Sequence, residues 1–528
     1  MDIKQAIING NTSLGIELGS TRIKSVLISD GFDSIASGSF DWENKLEKGI
    51  WTYNLDDVWM GLEASYAGLA ADVKAKYGIP LATVGSIGIS AMMHGYLVFD
   101  SMGGQLVPFR TWRNTITERA AAELTGMLGY NIPQRWSIAH LYQAMLNGEP
   151  HVKGIAFMTS LAGYIHWKLT GEKVLGVNDA SGLFPLENGS YNPGMMGQFD
   201  GLAAKYDVPW KLHDILPAIV NAGTQAGSLS SMGAVMLDAS GKLQAGIPFC
   251  PPEGDAGTGM VATNSIAPRT GNISAGTSIF AMIVLEKELS RVYPEIDLVA
   301  TPAGMPVAMV HCNNGSSDFD AWVKLLGEAV NLAGANTPKP ELYDLLYRKA
   351  LEGDGDCGGL LSYNYYSGEH ITGFEKGRPL FTRLPDSRFT LANFMRCLVF
   401  STFASLKLGM EILTDQEKVK LSGLLGHGGL FKTKGVMQRF MAAALGTPVS
   451  VMDSAGEGGA WWMALLASFI RLGGGASLED FLMQKVFADC KVEEIDPNAD
   501  DAEGFKEYLE RYAAGLIIER AAVETLEA

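Results

Sequence analysis

The chain is predicted to be an α/β protein of two domains, each a mixed β-sheet flanked by helices. One observation is a repeated pattern. Ile16-Glu17-Leu18-Gly19-Ser20-Thr21 and Ile273-Ser274-Ala275-Gly276-Thr277-Ser278 both open on isoleucine, reach glycine followed by two hydroxyl residues, and enter a second apolar run. Each copy reads as two strands joined by a tight turn rich in hydrogen-bond donors. A second observation is a short strand of buried type, Val84–Ile89, that runs directly into a polar cluster. The third is size: 528 residues at 47% hydrophobic content are ample for two cores. Two copies in two halves point to duplicated domains facing one cleft, each offering a phosphate loop. The boundary is expected in the polar stretch Ser265–Arg269, giving domains 1–266 and 267–528.

From the N-terminus, Leu14–Ile28 is the first hairpin, and Gly38–Tyr53 reads as further strand and loop. In Leu55–Tyr77 the residues Val58, Leu62, Tyr66, Leu69 and Val73 recur at three- and four-residue steps, which predicts a helix. The strand Val84–Ile89 ends in Ser90-Ala91-Met92-Met93-His94-Gly95, the place where α/β proteins put ligand contacts. Val107–Thr117 gathers Arg110, Trp112, Arg113 and Asn114 into one loop. Helical pattern returns at Glu118–Leu128 and Ile138–Leu146. It returns again at Thr159–Thr170, closed by Gly171. Asn178–Gly182 reads as a polar turn in which Asp179 caps.

Pro251–Val284 is the stretch around which the rest is organised. Asp255 stands among small residues that leave room for a substrate. The Gly276-Thr277-Ser278 turn then offers backbone and hydroxyl donors to an anion. Helices are expected at Asp318–Leu332 and Leu391–Leu413, with a Gly- and Tyr-rich region of no clear period, Gly353–Leu384, between them. Leu421–Phe431 reads as a strand running into Gly426-His427-Gly428-Gly429. A helix at Val436–Leu445, a strand at Pro448–Met452 and an apolar helix opened by Glu457-Gly458-Gly459-Ala460 follow. Glycine-rich turns that open helices let a nucleotide approach the backbone.

The formal net charge of −17 argues against general nucleic-acid binding, which needs a basic surface to replace counterions. Five widely spaced cysteines without a CxxC pair read as reduced thiols of a cytoplasmic protein. MDIKQAIINGNTS has no apolar h-region. The apolar stretch Ala460–Ile470 is too short for a bilayer, which takes about 20 residues. No membrane partner is expected.

Taken in order, these pieces resemble the FGGY carbohydrate kinases, in their xylulokinase-like branch. The resemblance implies two ribonuclease H-like domains of the actin-like ATPase fold with the active site in the cleft between them. IELGSTRIKSVLI resembles the family's first phosphate motif, GISAMMHGYLVFD its Gly-x-Ser-x-x-Met-His-Gly segment, and RTWRNT lies where the family has a Trp-centred sugar loop. LAGYIHWKLTGEKVLGVNDAS resembles a helix and Asp-x-Ser turn. EGDAGTG resembles the segment of the catalytic acid, SAGTS the second phosphate motif and GHGGLFKTKGVMQRFMAAALGTPV the adenosine motif.

The implied activity is ATP-dependent phosphorylation of a hydroxyl on a small sugar, a ketopentose such as xylulose or ribulose foremost. Asp255 would be the general base. Gly19, Ser20, Thr21 and Lys24 would line one side of the phosphates, and Gly276, Thr277 and Ser278 the other. Gly428, Gly429 and Lys432 would lie near the adenosine, with Glu457 at the next helix start. Met93, His94, Trp112 and Arg113 would face the sugar, and Glu17 and Asp255 would hold Mg²⁺ through water. The implied partners are the sugar and ATP, and a homodimer stays open. Two departures stand out: Glu17 where the family has Asp, and Trp112-Arg113-Asn114 where xylulokinases have Trp-Asn-Asp-x-Arg. Two other readings remain open: an ATPase of the same fold coupling hydrolysis to a conformational change, and a catalytically weak sugar sensor.

Overall fold

In the computed structural model the described residues are 2–452 and 458–526, so Glu457 lies outside them. The chain packs as two compact units. The first comprises Met1–Ile266, Leu298–Val307 and Glu457–Asp489, the second Ala267–Asp297, Ala308–Gly456 and Cys490–Ala528. The helix Gly459–Leu472 thus belongs to the first unit, although the sequence reading places 267–528 in one C-terminal domain. Long-range packing decides this. A Cβ on Gly15 would come within 2.0 Å of the Ala460 carbonyl oxygen, so glycine lets the helix rest directly on a strand of the first sheet.

That sheet is built from β1 (Thr12–Leu18), β2 (Arg22–Ser29), β3 (Ser34–Asp41), β4 (Ser86–Ala91) and β5 (Glu253–Gly254) in the order β5-β4-β1-β2-β3. β1, β2 and β3 form an antiparallel meander, β4 runs parallel to β1, and β5 parallel to β4. β1 is buried along its length except at half-buried Glu17, as expected for a strand covered on both faces. The helix Leu55–Tyr77 buries the periodic set Val58, Leu62, Tyr66, Leu69 and Val73. Asn54 caps its start, and Gly78, at φ 69°, ends it. Asn178–Gly182 is not a polar turn. It forms most of a short helix, Val177–Ser181, whose five residues are all buried.

The second sheet contains β6 (Thr270–Ala275), β7 (Ile279–Val284), β8 (Ile296–Ala300), β9 (Pro306–Cys312), β10 (Gly423–His427), β11 (Val449–Met452) and β12 (Val492–Ile495). Their order is β8-β9-β7-β6-β10-β11-β12. β6 and β7 form an antiparallel hairpin, with β10 parallel to β6 and β11 parallel to β10. The run β9-β7-β6-β10-β11 therefore repeats the order β3-β2-β1-β4-β5, so the two hairpins noticed in the sequence occupy equivalent places. Leu391–Glu411 continues through Gln416. The stretch Leu391–Gln416 is long and apolar enough to cross a membrane, but 72% of its apolar window is buried inside the protein, as in a core helix. The region Gly353–Leu384, which shows no period in sequence, supplies the paired strands Leu360–Tyr363 and Leu380–Arg383.

Candidate active site

In the first unit three parallel strands end together. Leu18 of β1 is level with Ala91 of β4, and Ala91 with Gly254 of β5. The residues just beyond them are Gly19-Ser20-Thr21, Met92-Met93-His94 and Asp255. The carboxyl ends of parallel strands are where α/β sheets take ligands.

Asp255 is the first residue of the helix Asp255–Ala262, whose N-cap, Gly254, has no side chain to offer. The Met93 N–H donates to Asp255 Oδ1 at 3.2 Å. From the buried helix Val177–Ser181, Asn178 Oδ1 accepts the N–H of Gly257 at 3.0 Å, meeting one of the donors that a helix start leaves unpaired. Asp255 remains accessible to solvent, while the protein crowded around it raises its carboxyl above the usual range. His94 is held in the left-handed region at φ 67°. Its Nδ1 lies 3.3 Å from the Gly182 carbonyl, which can only accept, so Nδ1 carries the proton and Nε2 is an acceptor. Burial and the charge of Arg135 push His94 down to about 3, so the ring is neutral.

Glu17 lies opposite Lys24 in the β1–β2 ladder. Its carboxylate takes hydrogen bonds from the backbone N–H groups of Ala460 and Gly459, at the start of the helix Gly459–Leu472. Burial first, and then the charge of Asp255, raises Glu17 to about 7 against the opposing pull of Lys24 and those N–H groups. Lys24 is therefore part of a charge cluster rather than a plain solvated strand residue.

The turn Gly19-Ser20-Thr21 has all its carbonyls engaged. The Trp42 indole N–H donates to Gly19 O at 2.7 Å, the Tyr53 hydroxyl to Ser20 O at 2.7 Å, and the Trp42 backbone N–H to Thr21 O at 3.1 Å. With its carbonyl lone pairs occupied, the turn presents donors to an anion. The loop Thr111–Asn114 is zipped to Trp51: Asn114 Oδ1 accepts the Trp51 N–H and Asn114 Nδ2 donates to the Trp51 carbonyl, both at 2.8 Å. Arg113 lies over the Trp51 ring at 3.9 Å and donates to Asn44 Oδ1 at 2.8 Å. Trp112 is exposed. Arg110 is buried against Glu149.

In the second unit the equivalent turn shows the same economy with backbone partners alone. Gly276 O accepts from Ser316 N at 2.9 Å, Thr277 O from Gly315 N at 2.7 Å, and Ser278 O from Gly276 N at 2.9 Å. A cavity of about 710 Å³ lies in the same unit, lined by Gly428, Gly429, Phe431, Lys432, Lys491 and Glu493 among others. That is within the usual size of a cofactor or small-molecule pocket. Gly428, at φ 101°, could not be another residue, since a Cβ there would sit 2.5 Å from the Ala275 carbonyl oxygen.

The model of the FGGY family of carbohydrate kinases matches twice, its N-terminal domain at residues 12–262 and its C-terminal domain at 271–471. The chain belongs to that family. Its fold is the two-domain FGGY kinase fold, and the protein is a carbohydrate kinase. A xylulose kinase of Haemophilus influenzae is 22% identical over 420 residues, covering 71% of this chain and 76% of that protein. One from Lactococcus lactis is 26% identical over 120 residues, 22% of this chain and 23% of the relative. Among solved structures, a xylulose kinase of Lactobacillus acidophilus superposes with a TM-score of 0.78 at 15% identity, covering 97% of this chain and 99% of that one. A gluconate kinase of the same organism reaches the same TM-score, 0.78, at 16% identity, covering 97% and 98%. The fold does not choose between these substrates.

Of the sequence-predicted residues, Glu17, Gly19, Ser20, Thr21, Lys24, Met93, His94 and Asp255 gather around the ends of β1, β4 and β5. Gly276, Thr277 and Ser278 form the turn of the second hairpin, and Gly428, Gly429 and Lys432 line the cavity of that unit. Arg113 has its guanidinium committed to Trp51 and Asn44. Asp179 is no cap. It is wholly buried, one carboxylate oxygen accepts the Ser160 hydroxyl, and its own N–H donates to Glu253 Oε2 at 3.1 Å. Sequence reasoning missed Trp42, Tyr53 and Glu253, and gave Asn178 no role. Only Asn178, in the polar run Asn178–Gly182, left a visible signal.

Among the described residues no group of three or more His, Cys, Asp or Glu side chains is poised to hold a metal. The pair Glu17 and Asp255, close enough for the charge of one to raise the other, is a donor set of hard oxygens that suits a largely hydrated Mg²⁺.

Proposed function

We propose that this kinase transfers the γ-phosphate of ATP to a hydroxyl of a small sugar, a ketopentose being the first candidate, with Asp255 as the general base. The observation that carries the reading is the setting of Asp255. A solvent-accessible carboxyl, raised by its surroundings, stands at the start of a helix and at the level of a neutral histidine and a donor-rich turn. Such a carboxyl accepts the proton of an attacking hydroxyl, and phosphoryl transfer asks otherwise for positioning and charge neutralisation. Met93 orients the carboxylate through its N–H, His94 Nε2 accepts a sugar hydroxyl, and Trp112 offers an exposed apolar face to the ring carbons. Gly19, Ser20 and Thr21 with Lys24, and Gly276, Thr277 and Ser278, bind phosphate oxygens, while the Gly428 cavity takes the adenosine. Glu17 and Asp255 would hold Mg²⁺ through water, and the ion would neutralise phosphate charge.

ADP release should be measured with ATP and Mg²⁺ against a panel of ketoses, polyols and sugar acids. A ketopentose is expected to stimulate strongly. Asp255→Asn is expected to lower kcat by about 10³-fold while leaving the KM for ATP within about twofold, the range of a lost general base. Stimulation by a sugar acid or a polyol alone would move the substrate class, and an active Asp255→Asn would remove the base.

A further inference from the structure

The clamp on the first donor turn is connected to the sugar loop. Arg113 Nη1 donates to Asn44 Oδ1 at 2.8 Å, Asn44 Nδ2 to the Tyr53 hydroxyl at 3.5 Å, and that hydroxyl to the Ser20 carbonyl at 2.7 Å. The rings along the way are stacked: Trp42 and Tyr53 have centroids 4.2 Å apart, and Arg113 lies over Trp51. Each donor in this series lies within reach of its acceptor, the Asn44–Tyr53 link being the longest, and the series starts beside Trp112, which is 40% exposed.

We infer that Arg113, Asn44 and Tyr53 form a relay that couples occupancy of the sugar loop to the shape of the first phosphate turn. The inference rests on the kinase reading above. Arg113 is then a positioning residue and not a sugar ligand: its guanidinium lies over the Trp51 ring and donates through Nη1 to Asn44. A sugar pressing on Trp112 shifts its neighbour Arg113, and the shift is passed on through Asn44 at the longest link, 3.5 Å. When Tyr53 holds the Ser20 carbonyl, the turn offers donors to phosphate. When it lets go, the peptide is free to rotate and can aim a carbonyl lone pair at the phosphate, which repels it. The device would make productive ATP binding depend on the sugar and so restrain idle hydrolysis.

The test is a double-mutant cycle on the full-length protein with the sugar that stimulates the wild type most. Tyr53→Phe keeps the ring stack and removes the hydroxyl, and Arg113→Met keeps the apolar stem on Trp51 and removes the guanidinium. Each is expected to lower the ratio of sugar-stimulated to basal ADP formation about fivefold and to raise the KM for ATP measured with sugar present. The double variant is expected to be no worse than either single one. Thermal midpoints within about 2 °C of wild type would show that folding is not at issue. Effects that multiply in the double variant overturn the relay, as does an Arg113→Met variant changed only in its KM for sugar, the mark of a direct contact. A wild type that no sugar stimulates overturns the kinase reading and the relay with it. An active wild type with independent variants overturns the relay alone.

Discussion

Glu17 is one methylene longer than aspartate, and its carboxylate takes hydrogen bonds from the N–H groups of Gly459 and Ala460. A carboxylate anchored at a helix start is oriented, so a hydrated Mg²⁺ would meet a fixed oxygen rather than a swinging one. Glu17→Gln is therefore expected to raise the Mg²⁺ concentration for half-maximal rate about tenfold, with a smaller change in sugar KM, read from titrations at saturating ATP. An unchanged Mg²⁺ requirement would take Glu17 out of the metal's surroundings. Asp255 stood out in the sequence by its small-residue setting, and Glu17 only by its place in a motif that resembles the family's first phosphate motif. The route of the Glu17 carboxylate was not legible there. It depends on a helix more than 400 residues further along the chain.

At the level of elements, the helix that carries Asp255 is held at its start by a residue of another helix. Asn178→Ala would leave the Gly257 N–H unpaired, a cost of about 1–3 kcal/mol. The expected result is a thermal midpoint lower by several degrees and a kcat reduced about tenfold, with the KM for ATP little changed. In the other unit, Gly315 supports the second donor turn. A Cβ at 315 would stand 2.3 Å from the Gly276 carbonyl oxygen, so Gly315→Ala is expected to raise the KM for ATP at least fivefold. Unchanged ATP kinetics would show that the turn does not meet the nucleotide. The two turns solve one problem differently. Unit one ties its three carbonyls with Trp42 and Tyr53, unit two with the backbone of 276, 315 and 316.

The whole molecule carries several carboxyls that burial brings to titrate near neutrality. Asp179 and Glu369, both wholly buried, are raised to about 7. Free Asp and Glu titrate near 3.9 and 4.3. Between those values and about 7 the folded state keeps protons that the unfolded state has released, so stability falls as pH rises through that window and levels off above it. Each group contributes roughly 4 kcal/mol to the change over the whole window, about 3 kcal/mol of it above pH 5. Glu369→Gln, neutral at every pH and still able to accept from Asn314, is expected to flatten the fall between pH 5 and 8 by about the latter amount in urea melts. A variant whose stability runs parallel to the wild type would show that Glu369 does not titrate there.

Read alone, the sequence determined the α/β class, the duplicated hairpin, most helices and strands, and the residues at the strand ends. All of these follow from local rules: periodicity, turn glycines and the spacing of a motif within a few residues. Tertiary structure alone decided which unit takes the helix Gly459–Leu472, that Asp179 is buried against Ser160 and Glu253, that Arg113 is committed to Trp51 and Asn44, and that Trp42 and Tyr53 hold the carbonyls of residues 19–21. Those outcomes join side chains to backbone groups up to hundreds of residues away. Their energies come from burial and from pairing polar groups on approach, which no short stretch of sequence records.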